Sequence, residues 1–85
     1  MDDELTGDGM LILDGENIAT VYYWLTVVPK PGAVVAEGSI TGSEELMRRV
    51  KKATAAKLEL VDGPTVILKC YGGSGGVRWV KALSS

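Results

Sequence analysis

The segment that most constrains the fold is Ile18–Val28, which reads IATVYYWLTVV and consists mostly of β-branched and aromatic residues. Such residues are enriched in strands because their side chains pack well on a pleated sheet. A strand of this length is long for a chain of 85 residues, and its length suggests a bend. We therefore expect a β-rich domain in which this strand serves two sides of a small barrel.

Five shorter segments also have the composition or the alternation of strands. Turn-forming residues separate several of them, for example Asp14-Gly15, a dipeptide typical of hairpins. The five predicted strands are Met10–Leu13, Ala33–Ile40, Leu58–Val61, Thr65–Tyr71 and Val77–Leu83.

One helix is predicted after the third strand. Thr41-Gly42-Ser43-Glu44 has the spacing of a capping box, in which the first and fourth side chains cap a helix N-terminus. We expect the helix to end near Ala55 or Ala56. Its apolar residues fall on one stripe at helical spacing: Leu46, Met47, Val50, Ala53 and Thr54.

The resulting order, β-β-β-α-β-β-β, predicts a small α+β protein. Five to six antiparallel strands would curl into a barrel or a sandwich, with the helix after the third strand. This order resembles that of an oligonucleotide-binding barrel, although the extra strand departs from it. Residues 1–8, MDDELTGD, are predicted to be an acidic flexible tail, and residues 9–85 a single small globular domain.

The residue types present disfavour an enzyme. The chain has no histidine and one cysteine, which excludes a Ser-His or Cys-His dyad and any usual zinc site. We expect no catalytic residue, no metal and no cofactor. Cys70 is predicted to face the core as an inert thiol.

The stretch YGGSGGV, residues 71–77, poses the question of a phosphate loop. Such loops lead into a helix whose N–H groups face the anion. Here VRWVKAL follows and alternates like a strand, so we expect a five-residue hairpin loop between Tyr71 and Val77.

That loop length predicts the cross-strand neighbours. It pairs Lys69 with Trp79 on one face, together with Tyr71 opposite Val77 and Ile67 opposite Lys81. Aromatic rings beside lysines can stack bases and hold phosphates. The structural alternative is that the helix covers Trp79, or that the Lys69 stem shields it. The candidate residues on this face are Tyr71, Trp79, Lys69 and Lys81.

A second aromatic cluster lies in the long strand. Alternation places Tyr22 and Trp24 on one face and Tyr23 on the other. Aromatic residues with a polar tip occur both at interfaces and at ordinary core margins. Tyr22 and Trp24 are therefore further candidates for an interaction surface.

The helix carries the basic run Arg48-Arg49-Val50-Lys51-Lys52. Arg48, Arg49 and Lys52 are candidates for contact with phosphates or with an acidic partner. The alternative is a solvated helix face with Val50 turned to the core.

The charge distribution and the small size of the chain indicate which kinds of partner it could bind. The net charge is −2, with six acidic and no basic residues in 1–29 and nine basic against five acidic in 30–85. A small aliphatic core without disulfides is often stabilised by self-association. The hypothesis is a non-enzymatic interaction module that binds a protein or a second copy of itself.

The alternative partner is single-stranded nucleic acid or another anionic ligand, which the pI of about 5.0 disfavours. No apolar run approaches the ~20 residues that cross a bilayer, so no membrane partner is expected. The acidic N-terminal sequence does not resemble a signal peptide, and a cytoplasmic location is expected.

Overall fold

The computed structural model describes residues 4–29, 32–61 and 63–84. These residues form six strands and one helix in the order β-β-β-α-β-β-β, which confirms the predicted order. The elements are β1 Glu4–Leu13, β2 Glu16–Val27, β3 Val34–Thr41, α1 Glu44–Lys52, β4 Ala56–Glu59, β5 Thr65–Ser74 and β6 Val77–Ser84.

The strands close into an antiparallel barrel in the order β1-β2-β3-β6-β5-β4. It consists of two three-stranded meanders, β1 to β3 and β4 to β6, which join along β1–β4 and along β3–β6. Of the two predicted architectures, the barrel is therefore confirmed. Closure leaves no long sheet edge exposed along the paired segments.

The long strand β2 links the two sides of the barrel as expected. It pairs with β1 along most of its length, and its second half also pairs with β3. Val21, Tyr23 and Leu25 point inward and are buried, whereas Tyr22 and Trp24 point outward and are exposed. The predicted alternation of faces is confirmed.

The barrel interior is aliphatic, and α1 packs against it through Met47 and Val50. Because the chain has no phenylalanine, branched side chains fill the space between the strands. The largest fully buried side chains are Leu11, Val21, Leu25, Ile40, Met47, Leu58 and Val80.

Helix α1 begins differently from the prediction. Ser43 is the N-cap, and its hydroxyl oxygen accepts a hydrogen bond of 3.1 Å from the N–H of Leu46. Thr41 instead ends β3, where it pairs with Val77, so the Thr41–Glu44 capping box is wrong. The helix also ends earlier, at Lys52.

The first strand is longer than predicted. It begins at Glu4, which pairs with Thr26 of β2, so residues 4–8 of the expected tail are paired strand. Residues 1–3 of that tail lie outside the described residues. This part of the strand was not predicted because glycine, as at Gly9, is disfavoured in strands. The structure nevertheless requires glycine there, since a Cβ at Gly9 would lie 2.8 Å from the Glu59 carbonyl oxygen.

The β5–β6 hairpin differs from the predicted one. Its strands continue to Ser74 and restart at Val77, so Gly75-Gly76 is a two-residue turn and the five-residue loop is wrong. The predicted register is wrong by two residues up to Cys70, since Leu68 pairs with Ala82 rather than Val80, and by three beyond it, since Val77 pairs with Ser74 rather than Tyr71. Glycines permit this extension: at Gly73, whose φ is +119°, a Cβ would overlap the Val77 carbonyl oxygen.

Candidate interaction surface

Four aromatic side chains lie on the outer side of the sheet formed by β2, β3, β6 and β5. We call Tyr22, Trp24, Tyr71 and Trp79 the aromatic face. Their exposed fractions are 49%, 43%, 59% and 45%. Sequence alternation predicted two separate clusters, and the closed barrel brings their strands together on either side of β3.

Ser39 lies at the centre of this surface. On β3 it pairs with Trp24 on one side and with Trp79 on the other. It is only 9% exposed although it shares their outward face, because a large side chain stands on each side of it. Two strand spacings separate the tryptophan backbones by about 10 Å.

The helix does not cover Trp79, since nearly half of the side chain is exposed. That alternative is therefore wrong. Trp79 is paired with Gly72 rather than Lys69, and the Cδ1 atom of its ring would lie 3.6 Å from a Cβ at Gly72. The missing side chain at Gly72 leaves one edge of the indole uncovered by β5.

Strands β2 and β3 approach each other closely at Trp24. At Gly38 of β3, an added Cβ would overlap the Trp24 carbonyl oxygen and lie 2.9 Å from the Leu25 Cα. Both obstacles are backbone atoms, which cannot rotate away. Only glycine therefore allows β3 to approach β2 this closely beneath the aromatic face.

The cation beside the aromatic face is Lys81. Its Nζ lies 5.5 Å from the centroid of the Tyr71 ring, within the range of a cation–π interaction. Tyr71 is the extra residue at a register shift between Cys70 and Gly72. The predicted pairs of Lys69 with Trp79 and of Tyr71 with Val77 are wrong, and so is the Ile67–Lys81 pair.

Lys69 and Lys81 are directly opposite each other in the observed register. Like charges at directly opposite positions repel. Both side chains are exposed, and Glu37 stands opposite Lys81 on the other side. Lys81 therefore borders the aromatic face through Tyr71, whereas Lys69 lies opposite Lys81 and not opposite Trp79 as predicted.

The basic residues of α1 are exposed, but most have acidic neighbours. Arg48 approaches Glu44 at 4.0 Å. Arg49 and Lys52 line a cavity that is also lined by carboxylates, those of Asp14 and Glu16. Val50 is buried as predicted. The three predicted candidates on the helix therefore do not form an unopposed cationic surface.

Sequence reasoning missed two cations, Lys51 and Arg78. They line a cavity of about 320 Å³ between α1 and the β5–β6 hairpin, together with Cys70, Tyr71, Gly72 and Gly73. The predicted five-residue loop, counted back from Tyr71 and Val77, would place Arg78 opposite Cys70 on the face predicted to point to the core, and this concealed the cavity. Only the bulge and the extended hairpin place these side chains together.

Cys70 is exposed, so the prediction of a buried core thiol is wrong. Strand β4 pairs with β5 only up to Leu68, and within the described residues nothing pairs with Cys70 on that side. Desolvation nonetheless raises the pKa of Cys70, while the charge of Arg78 lowers it to a smaller extent. The thiol is therefore mainly protonated at neutral pH and a poor nucleophile.

Among the described residues, no three cysteine, aspartate or glutamate side chains group as metal ligands would. The described part of the chain also has no helix with the length and apolarity needed to cross a membrane. No protein-family model, curated protein or solved structure was found to match this chain.

Proposed function

We propose that this protein is a non-enzymatic interaction module that binds a protein, or a second copy of itself, through the aromatic face. The observation that carries the proposal is the pair of half-exposed tryptophans, Trp24 and Trp79, on either side of Ser39. No catalytic group is needed for this role.

Aromatic residues of this kind are suited to binding. Tryptophan and tyrosine bury a large area and lose little side-chain entropy, and they are enriched in the centres of interfaces. Contiguous exposed apolar area on a small protein often marks an interaction site. Tyr22 extends the surface along β2 beside Trp24, and Tyr71 extends it across β5.

Of the two partners proposed, another protein or a second copy of the chain, the small core favours the second copy. An aliphatic barrel of 9.0 kDa has little buried area to offset chain entropy. A symmetric dimer would place the same face of both copies in contact, so both tryptophans of each copy would be buried in the interface. Burial of these rings would then add to the stability of the barrel.

Sedimentation equilibrium over a wide concentration range tests this version. Wild-type protein should show a mass that rises above 9.0 kDa, and Trp79→Ser should shift association to higher concentration. Val61→Ser is the matched control, because Val61 is 60% exposed and lies outside the aromatic face. A wild-type mass that stays at the monomer value rejects self-association.

A second candidate function is binding of single-stranded nucleic acid. The observation that favours it is Lys81 over the Tyr71 ring, with Lys69 opposite. Such a surface would stack bases on aromatic rings and attract phosphates.

A tryptophan-fluorescence titration with a mixed-sequence single-stranded oligonucleotide separates the two candidates. Both tryptophans of the chain belong to the aromatic face, so the signal reports on that surface. Quenching that weakens as salt rises supports nucleic-acid binding, since phosphate contacts release counterions. Unchanged fluorescence at low and physiological salt rejects it.

A further inference from the structure

The cavity between α1 and the β5–β6 hairpin has the composition of an anion site. Its volume of about 320 Å³ is at the lower end of the range for small-molecule sites, roughly 300–1,000 Å³. Two of its six lining residues are cationic, and none of the described residues that line it is acidic. The charged side chains among the described lining residues are therefore both cationic.

Lys51 differs in this respect from its neighbours on the helix. Arg48 has Glu44 beside it, and Lys52 lines a cavity shared with Asp14 and Glu16. Lys51 instead faces the cavity that contains Arg78. A smaller adjoining cavity, which also includes Lys51 and Cys70, adds Lys69 as a third cation.

Arg78 is held in place by the hairpin. Its Nη1 donates hydrogen bonds to the carbonyl oxygens of Val77, at 2.9 Å, and Gly75, at 3.5 Å. The guanidinium has further N–H donors at Nε and Nη2, and the described residues provide no hydrogen-bond partner for these atoms. An arginine fixed at one nitrogen presents its remaining donors without a large loss of side-chain entropy.

The glycines provide the space. Gly73 is required by its positive φ and by the approach of the Val77 carbonyl, and Gly72 leaves room beside Trp79. Tyr71 also lines the cavity and is the only residue shared with the aromatic face. An aromatic ring thus stands beside two cations.

We propose that this cavity binds a phosphate group, either as free phosphate or as the phosphate of a small monoester. Lys51 supplies a point charge, and Arg78 supplies directed donors. A monoester with an aromatic group would also contact the ring of Tyr71. The site does not depend on the aromatic face as an interface.

Alkylation of Cys70 by the neutral reagent iodoacetamide reports on the site, because Cys70 lines it and is the only cysteine of the chain. A bound anion beside the thiol favours the protonated form and occupies the space in front of it. Phosphate should therefore slow alkylation roughly threefold relative to sodium chloride at equal ionic strength. Equal rates in the two salts would overturn the proposal.

Two lysine variants test whether the protection of Cys70 by phosphate arises in this cavity. Lys51→Ala should abolish the protection, and Lys52→Ala, the neighbouring lysine that does not line the cavity, should retain it. Loss of protection in both variants to the same degree would show a general charge effect and would also overturn the proposal. Far-ultraviolet circular dichroism confirms that each variant remains folded.

Phenyl phosphate distinguishes the two sources of the ligand. Protection at lower concentrations than inorganic phosphate requires indicates a small organic monoester, with Tyr71 in contact with its ring. Protection by both at the same concentration indicates free phosphate. Because Tyr71 belongs to both surfaces, alkylation is measured at a protein concentration where sedimentation shows the monomer. Failure of this site and failure of the aromatic face as an interface are then separate results.

Discussion

Asp14 and Ala55 bind each other through two hydrogen bonds. The N–H of Asp14 donates to the Ala55 carbonyl oxygen at 2.8 Å, and the N–H of Ala55 donates to Oδ1 of Asp14 at 2.9 Å. The same Oδ1 accepts from the N–H of Thr54 at 3.1 Å. The turn between β1 and β2 therefore fixes the segment that joins α1 to β4, and with it the position of the helix.

Replacement of Asp14 should destabilise the protein, and the loss should depend on whether the new side chain still has an oxygen that accepts the two hydrogen bonds. Asp14 has a φ of 50°, a conformation that asparagine tolerates well. Asp14→Ala loses both side-chain hydrogen bonds and should lower the free energy of unfolding by about 1–3 kcal/mol. Asp14→Asn retains an acceptor oxygen and should cost less. Urea unfolding measures both, and equal losses would contradict a role for the side-chain oxygen.

Gly38 should be among the least replaceable residues of the barrel. In Gly38→Ala the new Cβ meets backbone atoms of Trp24 and Leu25, so strands β2 and β3 must separate. Overpacking of this kind should cost about 3 kcal/mol or prevent folding. Gly63→Ala is the control, since its Cβ would meet nothing closer than 3.8 Å. Thermal unfolding should show a large loss for the first variant alone.

The two adjacent tyrosines of β2 should respond differently to loss of the hydroxyl. Tyr23 is buried, and its hydroxyl oxygen accepts a 3.2 Å hydrogen bond from the N–H of Val61. Tyr23→Phe should therefore reduce the free energy of unfolding by about 1 kcal/mol. Tyr22→Phe, on the exposed face, should change it little. A denaturant titration that shows equal stability for both variants would contradict the hydrogen bond to Val61.

The reactivity of Cys70 should depend on pH in a characteristic way. Because desolvation raises its pKa, the thiolate that reacts with iodoacetamide forms at higher pH than in a short cysteine peptide. Arg78→Gln removes the charge that lowers this pKa, so the rate profile should move further toward alkaline pH. Lys57→Gln, at an exposed position on β4, should leave it unchanged. A wild-type profile identical to that of the peptide would contradict the effect of desolvation.

Much of the candidate surface followed from alternation alone. The pattern in β2 placed Tyr22 and Trp24 on one face and Tyr23 on the other, and the alternation of β6 placed Trp79 and Lys81 together on the face opposite the aliphatic one. Alternation within a strand does not depend on which residues the strand pairs with, so these shared faces were predicted correctly although the pairs were not. What failed was every statement about which side chains are opposite each other.

Local sequence signals were weakest where glycines lie. The first half of β1, which contains Gly7 and Gly9, was not predicted as a strand, and neither was the end of β5, which contains Gly72 and Gly73. Glycine disfavours strands on average because it loses more entropy on folding. In this barrel two of these positions, Gly9 and Gly73, need glycine because another strand's backbone approaches too closely for a Cβ.

The sequence by itself therefore determined the number and order of the elements, the aliphatic core and the inward or outward direction of most side chains. These depend on periodicity and composition, which are local properties of the chain. The tertiary structure decided that Trp24 and Trp79 flank Ser39, that Lys81 lies over Tyr71 and that Lys51 shares a cavity with Arg78. These contacts depend on barrel closure and on the bulge beside Cys70. Both features pack backbone segments that are far apart in the chain, and a local sequence pattern carries no information about such packing.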